Sequence, residues 1–349
     1  MRQKRVLLTG GAGFIGTHVL SALLAEGHEV RIIDALLPNV HRVRPPEPPA
    51  GVEFVHGDLR DPEVVAAALR GVDVVCHQAA LVGRGREILE APGYAGCNDL
   101  ATAVLLAAMA EAGLRHIVHG SSVVIYGENR YSCPKDGTVA PGPRRVADLD
   151  AGRFDPACPD CGEEIALIPS TEDTRPDPRN VYGVTKYAQE LLVAVWAREV
   201  GGTAIALRYH NVYGPGMPLD SAYSGVASTF RSAVEKGQAP RVYEDGGPTR
   251  DFVHVRDVAA ANVAALGQSS PGMRAYNVAS GEPRPIRALA EALSAAAGAP
   301  APVMTGQYRL GDARHIVATP DRLRRELGWA PRVDFETGVK EFATQSMRG

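Results

Sequence analysis

The chain has 349 residues, 45% hydrophobic and 22% charged, with a formal net charge of -3 at pH 7. That balance gives no global electrostatic reason to expect nucleic acid or an anionic membrane surface as a partner, so any phosphate must be gripped locally. The length exceeds the roughly 100–200 residues usual for one domain, so one large or two intimately joined domains are expected.

The basic start, Met1 to Arg5, leads only into Val6-Leu7-Leu8 before glycines begin. This run is too short for a signal core, and no stretch approaches the ~18 apolar residues of a membrane span. A cytoplasmic protein is expected. Five cysteines in a chain of this length make no disulfide framework. Cys76, inside Val74-Val75-Cys76, reads as a small buried hydrophobe, and Cys97 stands alone. Cys133, Cys158 and Cys161 share one unusual segment.

In chain order, the first predicted strand is Arg5–Leu8, followed by the glycine loop Thr9 to Gly16 and a helix over Gly16–Gly27. Gly10, Gly13 and Gly16 keep side chains out of the turn, so a pyrophosphate can reach backbone N–H groups of Gly13, Phe14, Ile15 and Gly16 at the helix N-terminus. Alone, such a loop also fits a mere turn. Its context is Asp34, which ends the second strand (Val30–Ile33) 24 residues after Gly10 (34 − 10). An acid there holds a ribose 2′-hydroxyl and repels a 2′-phosphate, which favours NAD over NADP. Arg31 lies within the strand, poorly placed to reverse that preference. A solvated turn is the bland alternative for Asp34.

The third strand (Val52–His56) leads to Asp58-Leu59, and a helix follows over Pro62–Leu69. The fourth strand (Val72–His77) leads to Gln78-Ala79-Ala80. Both strand ends are expected to line the cofactor cleft, as is Asn98 at the start of the next helix, Asn98–Gly113. The fifth strand, Ile117–His119, runs on to Ser121-Ser122. From Ser132 to about Pro178 the pattern breaks down into Pro, Gly, Asp and Arg. Helical order returns over Tyr182–Val200, then a strand over Ala204–Tyr209, then shorter and more varied elements. Strand and helix in alternation imply crossover helices. The expected fold is α/β: a doubly wound parallel Rossmann-type sheet with a smaller, interleaved α/β substrate domain. Residues 1–206 would form the NAD-binding domain, and 207–349 mainly the second, partly returning to the first.

Tyr182 and Lys186, four apart, stack on one helix face. An ammonium near the phenol favours phenolate and brings the tyrosine toward working pH as a base, while Ser122 hydrogen-bonds the reacting hydroxyl. Taken without the cofactor loop, the pair is an ordinary coincidence on a surface helix.

Together these motifs make the chain resemble the extended short-chain dehydrogenase/reductase family, and within it the nucleotide-sugar epimerases and dehydratases. The resemblance rests on TGGAGFIG at 9–16, Asp34, GDL at 57–59, SSVVIYG at 121–127, YGVTK at 182–186, LRYHNVYGPG at 207–216, RDFVHVRDVA at 250–259 and LGWAP at 327–331. It implies a nucleotide-sugar substrate: Asn211 on the phosphates, Arg250 and Arg309 gripping the diphosphate, and Asp312 on the ribose. Guanidinium groups suit that task by bidentate binding, although each arginine also reads as a plain surface charge. Similar 4,6-dehydratases carry an Asp-Glu pair after the catalytic Ser/Thr, and similar decarboxylases keep the second acid; Val123 and Val124 stand here instead. The implied activity is therefore reversible 4-epimerisation of a dTDP- or UDP-hexose with tightly bound NAD. The alternatives are an NAD-dependent 4-ketoreductase or dehydrogenase of a nucleotide sugar, and a non-catalytic NAD-binding scaffold. Helices 98–113 and 182–200 resemble the pair through which this family forms homodimers.

Ser122 and Tyr182 stand 60 residues apart (182 − 122), about twice the separation in similar epimerases. The insertion, about 131–178, holds two related pentapeptides, Cys133-Pro134-Lys135-Asp136-Gly137 and Cys158-Pro159-Asp160-Cys161-Gly162. C-P-x-x-G has the shape of a metal knuckle, so a structural zinc on Cys133, Cys158, Cys161 and Asp136 is expected. An unmetallated loop with free thiols and a redox-active C-x-x-C remain the other readings. The insertion is similar to cysteine-bearing ones in bacterial proteins that resemble dTDP-L-rhamnose 4-epimerases, which tilts the substrate expectation toward that sugar.

Overall fold

Runs such as Val6-Leu7-Leu8 and Val74-Val75-Cys76 have no polar residue to turn toward water, so they suit a sheet covered on both faces. The computed structural model, which describes residues 2–83, 88–219 and 225–348, places them in one. Strands β1 (Arg5–Thr9), β2 (Glu29–Asp34), β3 (Glu53–His56), β4 (Val74–His77) and β5 (His116–Ser122) join Thr203–Tyr209 and Gly272–Val278 in a seven-stranded sheet. Every pairing in it is parallel. The order is Gly272–Val278, Thr203–Tyr209, β5, β4, β1, β2, β3. This is the doubly wound α/β fold expected. The chain leaves β1 to build β2 and β3 on one side, then returns to lay β4 on the other. The crevice for a ligand therefore opens at the carboxyl ends of β1 and β4.

Helices cover both faces. On one, α1 (Phe14–Ala25) and the helix Val255–Ala265 bury Val19, Leu23, Val258 and Ala261 against Leu8, Cys76 and Val278. On the other, α2 (Pro62–Ala68) and the helices Ala101–Glu111 and Val181–Val200 bury Val65, Leu105 and Val193 against Leu7, Val75 and Ile117. Strand Gly272–Val278 and helix Val255–Ala265 thus belong to the sheet and its cover, although they lie late in the chain. A second core, with Phe230, Leu289, Leu293 and Phe342, is formed by Val226–Glu235, Ile286–Ala297 and Phe335–Thr344.

The insertion departs from expectation. Instead of patternless chain, it forms a small antiparallel sheet in which Arg130–Cys133 pairs with Gly137–Val139 and Ala166–Ile168, with a short helix at Val146–Asp150. Strands of three or four residues are too short to show a two-residue alternation. The helix expected from Asn98 begins as a π-helical stretch, Ala95–Leu100, and becomes α-helical at Ala101.

Candidate active site

The glycine loop is shaped by close backbone approach. Gly10 has φ +66°, and a Cβ there would lie 2.7 Å from the amide nitrogen of Ala79; one on Gly16 would lie 2.1 Å from the carbonyl oxygen of Gly10. Only hydrogen fits at either position. The loop can then lie against the segment after β4 while α1 aims its first-turn amides into the cleft, where intrahelical partners are lacking. Gly13, as N-cap, brings no side chain to occupy them.

Asp34 closes β2 at the cleft wall. Its carboxylate accepts from the amides of Ala12 and Leu36, both at 3.0 Å, with Nε2 of His41 at 3.4 Å. Burial works to raise its pKa, but His41 and the amides outweigh burial and hold it below the ordinary value. An ionised acid is what a ribose diol requires. Arg31 points elsewhere, donating to the carbonyls of Ala68 and Arg70 and pairing with Glu53. Phe14, Ile15, Asp58, Leu59, Gln78, Ala79 and Ala80 line the same cleft. Asp58 is held by Arg60, whose side chain pulls its pKa down. Glycine cradle, uncapped helix start and ionised acid together fit a dinucleotide.

The segment after β4 is braced from below. Thr9 Oγ1 accepts from the amides of Gln78 and Ala79, His77 joins it at 2.8 Å, and the other ring nitrogen of His77 meets Thr102 at 3.0 Å. Burial, helped by the charge of Lys186, lowers the His77 pKa to about 3, so the ring stays neutral. Gln78 is fixed by Tyr209 and Asn262. Asn98, expected at the cofactor, stands behind Leu81 of the cleft wall. Fully buried, it hydrogen-bonds both backbone groups of Leu81 and the hydroxyl of Thr185, and so ties the cleft's far wall to the helix that carries Tyr182 and Lys186.

That helix, Val181–Val200, is set at its N-terminus by Asn180, which accepts from the amide of Gly183 at 2.8 Å, and is ended by Gly201 in a left-handed conformation. Tyr182 and Lys186, one turn apart, both face the cleft. Burial pushes the Tyr182 phenol up to about 12, partly offset by a hydrogen bond with Ser122, and Tyr94 adds to the rise. Burial lowers Lys186 to about 7, against the pull of Glu190 and Asp99. The expected lowering of the tyrosine by the lysine is therefore not a property of the chain alone. Both groups are buried, and burial disfavours both charged forms. Glu190 further accepts from Ser121 at 2.5 Å and from Arg208 at 2.8 and 3.0 Å, fixing the helix to the ends of two strands.

The expected substrate residues lie on the second half of the chain. Asn211 opens a short strand, its amide bonded to the carbonyl of Asp251. Arg250 donates to the carbonyls of Thr249, Ala313 and Arg314, which brings it against the segment that carries Asp312. Arg309 stacks over the Tyr243 ring at 4.5 Å. Asp312 is exposed, and its carbonyl accepts from Arg144 of the insertion at 2.9 Å. In the insertion, the ligating atoms of Cys133, Asp136, Cys158 and Cys161 all fall within 4.8 Å of one another.

Sequence reasoning missed Glu190, Arg208, His41 and Tyr94. Only Glu190 left a signal, standing four residues after Lys186 on the same helix face.

Residues 6–146 and 157–279 match the NAD dependent epimerase/dehydratase family, and the break at 147–156 falls inside the insertion. A dTDP-L-rhamnose 4-epimerase of Burkholderia thailandensis is 36% identical over 98% of this chain and 94% of its own. A UDP-glucose 4-epimerase of Mycolicibacterium smegmatis is 31% identical over 96% of each. Among solved structures, the UDP-glucose 4-epimerase of Thermus thermophilus in complex with NAD superposes with a TM-score of 0.77 at 31% identity, covering 97% of both chains. With the glycine cradle, the acid at the end of β2 and the Tyr–Lys helix in place, the chain belongs to the NAD dependent epimerase/dehydratase family.

Proposed function

We propose that the protein interconverts a nucleotide-activated hexose with its 4-epimer through a transient 4-keto sugar, using tightly bound NAD. The observation that carries this reading is the position of Tyr182 and Lys186 in the dinucleotide cleft, with Ser122 bonded to Tyr182 and valines at the next two positions. Oxidation of a hydroxyl is provided for. Val123 packs with Ile125, Tyr126 and Ala318, so that position offers apolar packing and no acid to eliminate water.

NAD, when bound, supplies the hydride acceptor and donor and a positive ring that favours phenolate. Tyr182 takes the proton of the 4-hydroxyl, with Ser122 orienting that hydroxyl. The 4-keto sugar turns in the pocket, and after reduction of its other face Tyr182 returns the proton. Lys186 holds the cofactor ribose and, once charged, stabilises the phenolate. Asn211, Arg250 and Arg309 serve the diphosphate, and Asp312 the nucleoside ribose.

The named relatives support a dTDP- or UDP-hexose and put dTDP-L-rhamnose first among the sugars to try. Two copies pair through the helices Ala101–Glu111 and Val181–Val200. Val184, Leu191 and Val195 leave 52%, 51% and 42% of their surface exposed along one helix, with Leu100 nearby in sequence to the other. To the same reading belong a cytoplasmic location and a structural zinc on Cys133, Asp136, Cys158 and Cys161. No helix among the described residues is long and apolar enough to cross a membrane.

The test is to incubate purified protein with a panel of UDP- and dTDP-hexoses without added NAD and to follow each sugar by proton NMR. Conversion of one sugar into its 4-epimer with no net change in cofactor is the expected result. Conversion that requires stoichiometric NAD or NADH would replace epimerisation with net oxidation or reduction.

A further inference from the structure

We infer that the metal staple in the insertion does more than fold a loop: it holds that loop against the nucleotide end of the substrate site, so that metal occupancy sets nucleotide affinity. The metal half rests on the cysteine cluster alone; the nucleotide half rests on the function proposed above.

The cluster has the dimensions of a closed tetrahedral site. Sγ of Cys133 lies 3.5 Å from Sγ of Cys161, and Oδ2 of Asp136 lies 3.4 Å from Cys133 and 3.2 Å from Cys158. Metal–sulfur bonds of about 2.3 Å and metal–oxygen bonds of about 2.0–2.2 Å give tetrahedral edges of roughly 3.5–3.8 Å. The three distances approach the short end of that range, and all four atoms lie within 4.8 Å of one another, so a small cation fits once the cluster adjusts around it. Three thiolates select a thiophilic ion such as zinc over calcium or magnesium, which take oxygen ligands in larger number. Four protein ligands leave no open position, as in structural rather than catalytic sites.

The two knuckles come from different turns. Cys133 and Asp136 sit at the turn between Arg130–Cys133 and Gly137–Val139. Cys158 and Cys161 sit at a turn closed by the Ala157–Glu164 bridge. A shared ion therefore closes the loop that runs between them, residues 137–157. The loop's own apolar anchorage is small: the insertion's cluster buries Tyr131, Cys133, Val139 and Cys158, two of them proposed ligands, and the loop adds Leu149 and Phe154.

What the closed loop touches gives the staple its consequence. Arg144 donates to the carbonyl of Asp312 at 2.9 Å and pairs with Glu244 at 2.8 Å. Asp150 accepts from the Tyr308 hydroxyl at 2.6 Å, and Asp155 from Nε of Arg314 at 2.7 Å. Tyr308, Asp312 and Arg314 bracket the segment assigned above to the nucleotide, and Arg250 is anchored on the carbonyls of Ala313 and Arg314. An ion that orders the loop orders this wall. By linkage, a nucleotide that orders the wall tightens the ion by the same factor.

The experiment uses the full chain as purified, with its NAD. Zinc content is measured, cobalt is substituted for spectroscopy, and Kd for dTDP and for UDP is measured by calorimetry before and after chelation. The expected results are close to one zinc per chain, thiolate-to-cobalt charge-transfer bands with tetrahedral d–d bands, and nucleotide Kd raised about tenfold on stripping, the loss of roughly 1.4 kcal/mol, with NAD content unchanged. Cys158→Ser/Cys161→Ser should reproduce the stripped state, and Asp136→Cys should keep the metal. Arg144→Ala should keep the metal and still weaken nucleotide binding, with KM rising more than kcat falls. Protein isolated without metal, with all three thiols freely titrating or with Cys133 and Cys161 joined in a disulfide, overturns the site. Metal retained with nucleotide Kd indifferent to stripping overturns the coupling. Binding of neither nucleotide by either form overturns the coupling and the substrate reading together, while the zinc count judges the site independently.

Discussion

The carboxyl edge of the sheet and the cysteine-bearing insertion are held by opposite means. At the sheet, fully buried Val6, Leu8, Val74 and Val118 each contribute roughly 1.5–3 kcal/mol of apolar burial. The backbone they fix is itself the cofactor site, with Gly10 against Ala79 and the first turn of α1 facing the cleft. In the insertion, each ordered residue costs about 1–2 kcal/mol of backbone entropy, and the buried apolar side chains are few: Tyr131, Cys133, Val139, Leu149, Phe154 and Cys158. Polar ties to the second half of the chain, and the proposed ion, add to them. The dinucleotide cleft thus sits on the region fixed by apolar burial, and the cysteine cluster sits on one tied to the rest of the chain mainly by polar contacts.

The comparison breaks first at the catalytic helix. Tyr182→Phe removes the proposed proton acceptor without removing the ring, so kcat should fall by ~10²–10⁴ with NAD still bound. A variant that keeps more than a tenth of wild-type turnover would take Tyr182 out of the mechanism. Next in size, Asp34→Asn gives up a charge-assisted contact worth about 1.5–3 kcal/mol, so calorimetry should find NAD binding weakened roughly 10- to 100-fold and NADP less disfavoured. Equal NAD affinity in the variant would return Asp34 to a purely structural role among Ala12, Leu36 and His41.

Gly10→Ala sharpens the contrast between the regions. The added Cβ meets the Ala79 backbone in a left-handed conformation, and denaturant unfolding should show a loss of about 1–3 kcal/mol together with poorer NAD retention. The corresponding break in the insertion, Cys158→Ser/Cys161→Ser, leaves NAD in place. The most gradual effect concerns Lys186, whose pKa falls in the folded chain from 10.5 to about 7. Between those values the unfolded chain binds the proton and the folded chain does not. Stability of the NAD-free protein should therefore rise with pH across that window, by at most ~1.4 kcal/mol per pH unit. Lys186→Met should flatten that slope, and an unchanged slope would assign the pH dependence to another group.

Much of this architecture is legible because its signals are local. Short apolar runs flanked by glycines located β1 to β5 within three residues at each end. The glycine spacing, the acid at the end of β2 and the four-residue step from Tyr182 to Lys186 are fixed by turn and helix geometry, and so can be read without a structure. The supports are not local. Ser121, Glu190 and Arg208 come from three segments, and only folding shows that they share buried bonds. Asn98 illustrates the same limit, because its position at a helix start is legible in the sequence while its buried bonds to Leu81 and Thr185 are not. The cysteine pentapeptides were conspicuous as chemistry, yet the small sheet that carries them was not.

The central claim is that one carbon loses and regains the same hydrogen within a closed cleft. A nucleotide hexose deuterated at carbon 4 should be turned over in ordinary water and the 4-epimer examined by NMR and mass spectrometry. Full retention of deuterium at carbon 4, with none at carbons 3 or 5 and no net NADH, is the predicted result. Loss of the label to solvent, or its appearance in free NADH, would contradict the mechanism built on Ser122, Tyr182 and Lys186.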